Sequence, residues 1–286
     1  MTEVFASIGE CMIELSAAGE GLYRRGFAGD TFNTAWTVRG LTDPGRVSVR
    51  YLTAVGDDAV SGEMVRFFET AGIDASFVRV QPGRTAGLYM ISLDGAERSF
   101  TYWRDMSAAK MLAADPDALA RSLEGVTTAY LSGITLAILA PEHRRTLLGA
   151  LGTLKAAGAR IAFDPNVRLR LWPSLDDLRE ALVAGYSAAT VALPTYPDEK
   201  DLFDDQSIED AARRIAGYGL REFVLKDGPE PCLVMADGAM SRVPATVVDA
   251  PVDTTGAGDA FAAAFLLAWV AGAPPGRAAA AGTAQA

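Results

Sequence analysis

Histidine is almost absent from this chain: there is one in 286 residues, His143. A Ser–His–Asp triad or a multi-histidine metal site therefore has almost no material to be built from. His143 follows Pro141 at what reads as a helix start, where a solvated or capping role suits it. Cysteine is nearly as scarce. Cys11 and Cys232 have no metal-like spacing, and no metal site is expected; they read as two reduced, buried thiols in a cytoplasmic protein. Basic residues are in deficit, 26 Lys and Arg against 36 Asp and Glu, for a net charge of −10. A general affinity for nucleic acid or an anionic membrane needs basic surface and is not expected. Any anionic ligand must be held by local donors against an unfavourable overall field. No apolar run reaches the roughly 20 residues of a membrane span. The alanine-rich stretches 266–273 and 278–281 are broken by Gly272, Pro274, Pro275 and Arg277. The opening Met-Thr-Glu-Val-Phe-Ala lacks a basic stretch followed by an apolar one, so no secretory signal is expected. There is also no G-x-x-x-x-G-K-[ST] phosphate loop.

What is present is a globular composition, 50% hydrophobic and 22% charged, with enough apolar surface for a sizeable core. Apolar runs of strand type alternate with helical patterns. Strands are expected at 4–8, 47–55, 128–131, 160–163, 190–193 and 222–226. Helices are expected at 30–41, with Asp30 as N-cap, and at 59–71, 142–157, 175–184 and 208–218. This order predicts an α/β fold, a mostly parallel sheet covered by helices on both faces. In such folds ligands bind beyond the carboxyl ends of the strands.

One segment breaks the alternation. Residues 85–93 and 96–104 are strand-like and are joined by Asp94-Gly95, a two-residue hairpin signal. That turn would set Tyr89 opposite Phe100, Gly87 opposite Tyr102 and Thr85 opposite Arg104. Side chains alternate along a strand, so Tyr89, Phe100, Tyr102 and Arg104 share one face. Leu88, Met90, Thr101 and Trp103 share the other. Two readings fit: a lid with one face on a ligand and the other on a neighbour, or an ordinary amphipathic edge hairpin. Residues 13–16 and the loop after them are candidates for further lid strands.

The stretch Asp253-Thr254-Thr255-Gly256-Ala257-Gly258-Asp259-Ala260-Phe261 opens a helical run to Leu267. Small residues at a helix start leave backbone N–H groups free, and with the positive end of the helix dipole these form an anion site. A carboxylate at Asp259 beside that site is placed to take a proton from a hydroxyl while the amides stabilise a transferring phosphoryl group. The same pattern also fits a plain glycine-rich cap. It is not a dinucleotide fingerprint, because Phe261 stands where the third glycine belongs.

DTTGAGDAF resembles the C-terminal signature of the ribokinase-like (PfkB) carbohydrate kinases. IGECMIELS (8–16), RGFAGDTFNTA (25–35), TYWRDMSAAK (101–110), YLSGITLAIL (130–139), FDPNVRLRLW (163–172) and KDGPEPCLV (226–234) resemble the branch of that family that phosphorylates 2-keto-3-deoxygluconate. The likeness runs in order from Ile8 to about Leu267. It implies a doubly wound ribokinase-like sheet, a single domain over 1–286, and a small β-sheet lid from about 11–28 and 84–104. It implies ATP and Mg²⁺ as cofactors and a sugar acid as substrate, and the second apolar face of the lid leads to the expectation of a homo-oligomer formed through it.

By that resemblance Asp259 is the catalytic base, and Gly256, Ala257 and Gly258 form the anion hole. Gly29, Asp30 and Asn33 lie in the stretch that binds sugar hydroxyls. Tyr89, Tyr102 and Arg104 match lid residues. Asn166 and Arg168 match substrate or phosphate contacts, with Arg170 close enough to stand in for Arg168. Lys226, Gly228 and Thr254, together with Gly256 and Gly258, belong to the nucleotide side. The keto acid carries a carboxylate that fructose or ribose lacks, and Arg104 and Arg168 can bind it by charge-assisted hydrogen bonds. Family members usually continue for another helix and a short segment beside the adenine site. Asp259 is followed here by 27 residues, so the nucleotide side is less fully represented than the sugar side. Asp198 and Glu199 lie where the family carries an acidic motif, and neither is given a role. The alternatives are a kinase of the same fold for a neutral sugar or another keto sugar acid, a sugar-acid-binding regulator without catalysis, and a nucleotide-binding oxidoreductase.

Overall fold

The alternation of strands and helices builds an eight-stranded sheet. The computed structural model describes residues 3–94, 97–246 and 256–286. Six strands of the sheet run parallel: β1 (Glu3–Ile8), β4 (Val47–Leu52), β9 (Thr128–Ser132), β10 (Arg160–Asp164), β11 (Val191–Ala192) and β12 (Glu222–Asp227). An antiparallel pair, β13 (Glu230–Ala236) and β14 (Ala239–Val243), closes one edge. The spatial order is β14-β13-β12-β11-β10-β9-β1-β4.

Side-chain alternation sends each strand's residues to two separate cores. Ile8, Leu131 and Phe163 pack with helices α3 (Pro116–Ser122), α4 (Gly133–Ile138), α5 (Pro141–Ala156), α6 (Leu175–Ala188), α7 (Tyr196–Phe203) and α8 (Ile208–Gly217). Phe5, Tyr130 and Ala162 pack with α1 (Asp30–Leu41), α2 (Ala59–Thr70), α9 (Ala257–Val270) and α10 (Pro275–Gln285). Strands covered on both faces read as near-continuous apolar runs, as they do here. Among the described residues, no helix is long and apolar enough to cross a membrane.

A second sheet stands beyond the carboxyl edge of the first. It contains β2 (Met12–Ala17), β3 (Tyr23–Ala28), β7 (Leu88–Asp94) and β8 (Glu97–Trp103), in the order β3-β2-β7-β8. Its strands enter the chain between β1 and α1 and again ahead of β9, so both insertions leave the main fold near its ligand-binding edge. Two further short strands, β5 (Ala54–Gly56) and β6 (Arg79–Gln81), pair with each other.

Three local expectations change. The 47–55 run is two strands, not one: β4 pairs with β1 and β5 with β6, and the chain leaves the main sheet at Thr53. Asp30 is the first helical residue, and Gly29 is the N-cap of α1. A Cβ at Gly29 would lie 2.2 Å from the Glu10 carbonyl oxygen, so only glycine fits that crossing. The hairpin pairs Tyr89 with Tyr102 and Ile91 with Phe100, and the ladder extends to Asp94 and Glu97. The expected opposite pairs are thus displaced by two residues, and the Asp94-Gly95 turn itself falls on Gly95, outside the described residues. The slip changes the opposing residue by two positions, so every side chain keeps its expected face.

Candidate active site

The carboxyl ends of β1, β9, β10 and β12 meet the amino-terminal ends of α1 and α9 along one edge of the main sheet. Asp259 is in the first turn of α9, whose N-cap is Gly256 with φ 78°. Among the described residues no side chain caps this helix, and a helix start leaves its first amides without intrahelical acceptors. Ala257 and Gly258 therefore present backbone donors beside Asp259. The Asn33 side-chain amide donates to Asp259 Oδ2 at 2.8 Å, which ties α1 to α9 at the carboxylate. Burial and the nearby charges of Asp30 and Asp164 push the Asp259 carboxyl up to about 7, opposed by the Asn33 hydrogen bond and the Lys226 charge.

A chain of polar contacts crosses the edge. Asp30 is raised from the usual carboxylate range, mainly by burial. Its Oδ2 accepts from Asn166 Nδ2 at 2.8 Å. Asn166 takes a left-handed backbone, φ 35°, two residues past the end of β10, and its N–H donates to Asp164 Oδ1 at 3.1 Å. Lys226 Nζ donates to Asp164 Oδ2 at 2.8 Å. Lys226 is thus bound to a carboxylate of the sheet edge. Asp198, in the first turn of α7, is raised by burial and held down by the Arg168 charge.

Two cavities open on this edge. One, of about 60 Å³, is lined by Glu10, Gly29, Asp30, Tyr102, Arg104, Arg168 and Arg170 among others. The other, of about 400 Å³, is lined by Asn33, Gly256 and Asp259 together with Phe27, Phe32, Trp36 and Phe67. A cavity of about 590 Å³ between α8 and the β13–β14 hairpin lies at the opposite end of the parallel strands, remote from Asp259.

The structure brings most of the sequence candidates together. Gly29, Asp30, Tyr102, Arg104 and Arg168 line the first cavity; Asn33, Gly256 and Asp259 line the second. Arg168 and Arg170 both line the first cavity, and the Arg170 guanidinium lies 4.2 Å from the centroid of the Tyr102 ring. Tyr89 lines neither cavity; its hydroxyl donates to Glu14, and its ring is 5.8 Å from that of Tyr102. Gly228 is exposed, with φ 57°, in the turn between β12 and β13. Thr254 lies outside the described residues.

Sequence reasoning passed over Glu10 and Asp164. Both stand just at or beyond the carboxyl ends of parallel strands, where ligands bind in such folds. It also left Asp198 and Glu199 undivided. Glu199 is fully buried and accepts from Tyr186 Oη at 2.5 Å and Arg214 Nη2 at 2.8 Å. Only Asp198 is close enough to the edge to feel Arg168, Asp164 and Lys226. His143 meets the Lys110 carbonyl at 3.3 Å through Nδ1, and Cys11 and Cys232 are free and buried. Among the described residues no cluster of His, Cys, Asp and Glu has the form of a metal site.

Residues 2–286 match the family model described as pfkB family carbohydrate kinase. The chain is 39% identical to the 2-dehydro-3-deoxygluconokinase of Dickeya dadantii (strain 3937), over 93% of this chain and 87% of that protein. It is 37% identical to the 2-dehydro-3-deoxygluconokinase of Escherichia coli (strain K12), over 95% and 90%. Its fold is similar to that of aminoimidazole riboside kinase from Salmonella enterica complexed with aminoimidazole riboside and ATP analog. That TM-score is 0.83 at 20% identity, covering 99% of this chain and 91% of that one.

Proposed function

Given that this chain belongs to the pfkB family of carbohydrate kinases, we propose that it transfers the γ-phosphoryl group of ATP to the terminal hydroxyl of 2-keto-3-deoxygluconate, giving the 6-phosphate, with Asp259 as the base. The observation that carries this reading is the position of Asp259. Its carboxylate is held by Asn33, its pKa is pushed up to about 7, and it stands in a helix start that offers free amides, lining one cavity while Asp30, whose charge it feels, lines the neighbouring one rimmed by arginines.

A base whose pKa lies near neutrality is well matched to proton transfer at neutral pH. Asp259 takes the proton of the sugar hydroxyl as its oxygen bonds to the γ-phosphorus and the bond to the leaving ADP oxygen breaks. The amides of Gly256, Ala257 and Gly258 face the charge spread over the transferring phosphoryl oxygens. Arg104, Arg168 and Arg170 supply the local cations that an acidic protein needs to hold a sugar carboxylate. Asp30 and Asn33 meet sugar hydroxyls, and Asn166 holds Asp30 in place.

The nucleotide binds along the side of Lys226 and Gly228, with Thr254 near its phosphates. The kinase of similar fold holds an ATP analog, which supports ATP here. Mg²⁺ would be held chiefly by the phosphates, with Asp164 and Asp198 as hard oxygen donors that suit it through water. Glu199 does not fit that role, since Tyr186 and Arg214 already occupy its oxygens. The ion would neutralise phosphate charge.

The four-stranded sheet acts as the lid, with Tyr102 and Arg104 on its inner face. Its outer face exposes Tyr23 and Trp103, which supports self-association through the lid. The two free thiols fit a cytoplasmic location.

The test is ADP release from Mg-ATP with 2-keto-3-deoxygluconate, its galactose-derived epimer, fructose and ribose side by side. A strong preference for the keto acids is expected. Preference for fructose or ribose would remove the roles given to the arginines and leave Asp259 in place. Sugar-acid binding without turnover would replace the kinase reading with that of a binding protein.

A further inference from the structure

Glu10 is a buried carboxylate to which no role has been given. It follows Gly9 at the carboxyl end of β1, and it is 3% exposed. Both of its oxygens are used by residues just past β8. Oε2 accepts from Arg104 Nη2, and Oε1 accepts from Ser107 Oγ. A third segment makes room for the group: a Cβ at Gly87 would lie 2.6 Å from Glu10 Oε1. The main sheet, the start of β7 and the end of β8 therefore converge on one carboxylate.

Burying a carboxylate is costly unless it is paired and hydrogen-bonded, and Glu10 is both. The pairing also bears on Arg104. The Arg104 guanidinium lines the same cavity as Arg168 and Arg170, but the three are held differently. Arg168 and Arg170 are exposed. Arg168 donates to the adjacent Val167 carbonyl, and Arg170 lies over the Tyr102 ring. Arg104 is mostly buried and is fixed from behind by Glu10. Its Nε is buried and has no hydrogen-bond partner among the described residues. A buried donor left without a partner is costly, and Arg104 is among the residues that line the cavity.

We propose that Glu10 is the positioning residue for substrate recognition: it clamps Arg104 by one nitrogen so that the remaining N–H groups are set for the sugar carboxylate. This rests on the sugar-acid reading above. Ser107 assists by holding the second oxygen of Glu10, and Gly87 by leaving it space. The clamp joins the lid to the main sheet, so the lid presents its cation at a fixed place when the substrate arrives. Pre-set geometry of this kind strengthens binding by lowering the ordering cost.

The experiment compares KM and kcat of wild type, Glu10→Gln, Arg104→Ala and the double variant with 2-keto-3-deoxygluconate. Glu10→Gln keeps the shape and removes the charge. It is expected to raise KM for the keto acid at least about tenfold, with kcat within about threefold and KM for Mg-ATP unchanged, the pattern of lost uniform binding. In the Arg104→Ala background Glu10→Gln is expected to add nothing, because Glu10 acts through Arg104. An unchanged KM in the single variant, or additive effects in the double, would overturn the proposal. If Glu10→Gln does not fold, Ser107→Ala and Gly87→Ala take its place, each expected to raise KM for the keto acid; an unchanged KM in both overturns it equally. Failure of the wild type to accept the keto acid sinks the sugar-acid reading and this one together. Normal turnover by wild type with indifferent variants sinks only the role of Glu10.

Discussion

Glu199 and Asp259 both sit in the first turn of a helix, and burial raises the pKa of both. Their partners differ. Each oxygen of Glu199 has a donor, Tyr186 on one side and Arg214 on the other. Arg214 also holds Asp205 at 2.5 Å and lies 3.8 Å from the centroid of the Phe203 ring. Among the described residues Asp259 has one side-chain donor, Asn33, and it faces the negative charges of Asp30 and Asp164. The first cluster is balanced by its own side chains and is a framework. The second, among the described residues, has fewer donors than oxygens to satisfy and an excess of negative charge, and a ligand can complete it. Around Arg104 the balance is again internal on one side and open on the other, since Glu10 takes one nitrogen and Nε has no partner among the described residues.

The largest expected effect is on the framework. Arg214→Met leaves two acidic groups without their cation; breaking a buried pair in this way costs about 3–5 kcal/mol. Chemical denaturation should show that loss, with kcat of the folded fraction near that of wild type. A small change in stability would mean that Glu199 is not balanced by Arg214, and the contrast with Asp259 would lapse.

The open cluster should respond through pH. A base must be ionised to act, so kcat/KM is expected to rise with pH through about 7 and level off above it. Asp30→Asn removes a charge that raises the Asp259 pKa and should move the midpoint down. Lys226→Met removes a charge that lowers it and should move the midpoint up. Shifts in the reverse directions would mean that another group controls the profile.

A smaller effect falls on stability. The folded pKa of Asp259 exceeds the value of about 3.9 expected for an unfolded aspartate. Folding therefore favours the protonated form. The ionised form makes the native state progressively less stable as pH rises from about 4 to about 7. Asp259→Asn should melt above wild type at pH 8 and with it at pH 4. Equal melting at both would mean that the carboxylate is not strained by its surroundings.

Much of this arrangement is legible in the sequence, for identifiable reasons. Face assignments in the hairpin survive a register error because side-chain direction depends on parity, so Tyr89, Tyr102 and Arg104 remain together. Asp30 and Asp259 lie at helix starts that punctuation marks, whereas Gly29, Asn33 and Asn166 are picked out by the resemblance to the kinase family. The 47–55 run could not disclose its break, because apolar residues continue through Thr53 while the pairing partner changes. The β13–β14 hairpin and α10 are not legible in the sequence: the first begins in a stretch that resembles a nucleotide loop, and the second is an alanine-rich end whose packing of Ala278, Ala279 and Gly282 against α9 carries little periodic signal. Glu10, Asp164 and the separation of Asp198 from Glu199 needed distances, since adjacent acidic residues differ only in what they face.

The most direct test of the central claim is kcat for 2-keto-3-deoxygluconate in Asp259→Asn, measured beside calorimetric binding of the sugar acid. A loss in kcat of at least about 10²-fold with sugar affinity retained is expected. Turnover near that of wild type would contradict it and remove Asp259 as the base.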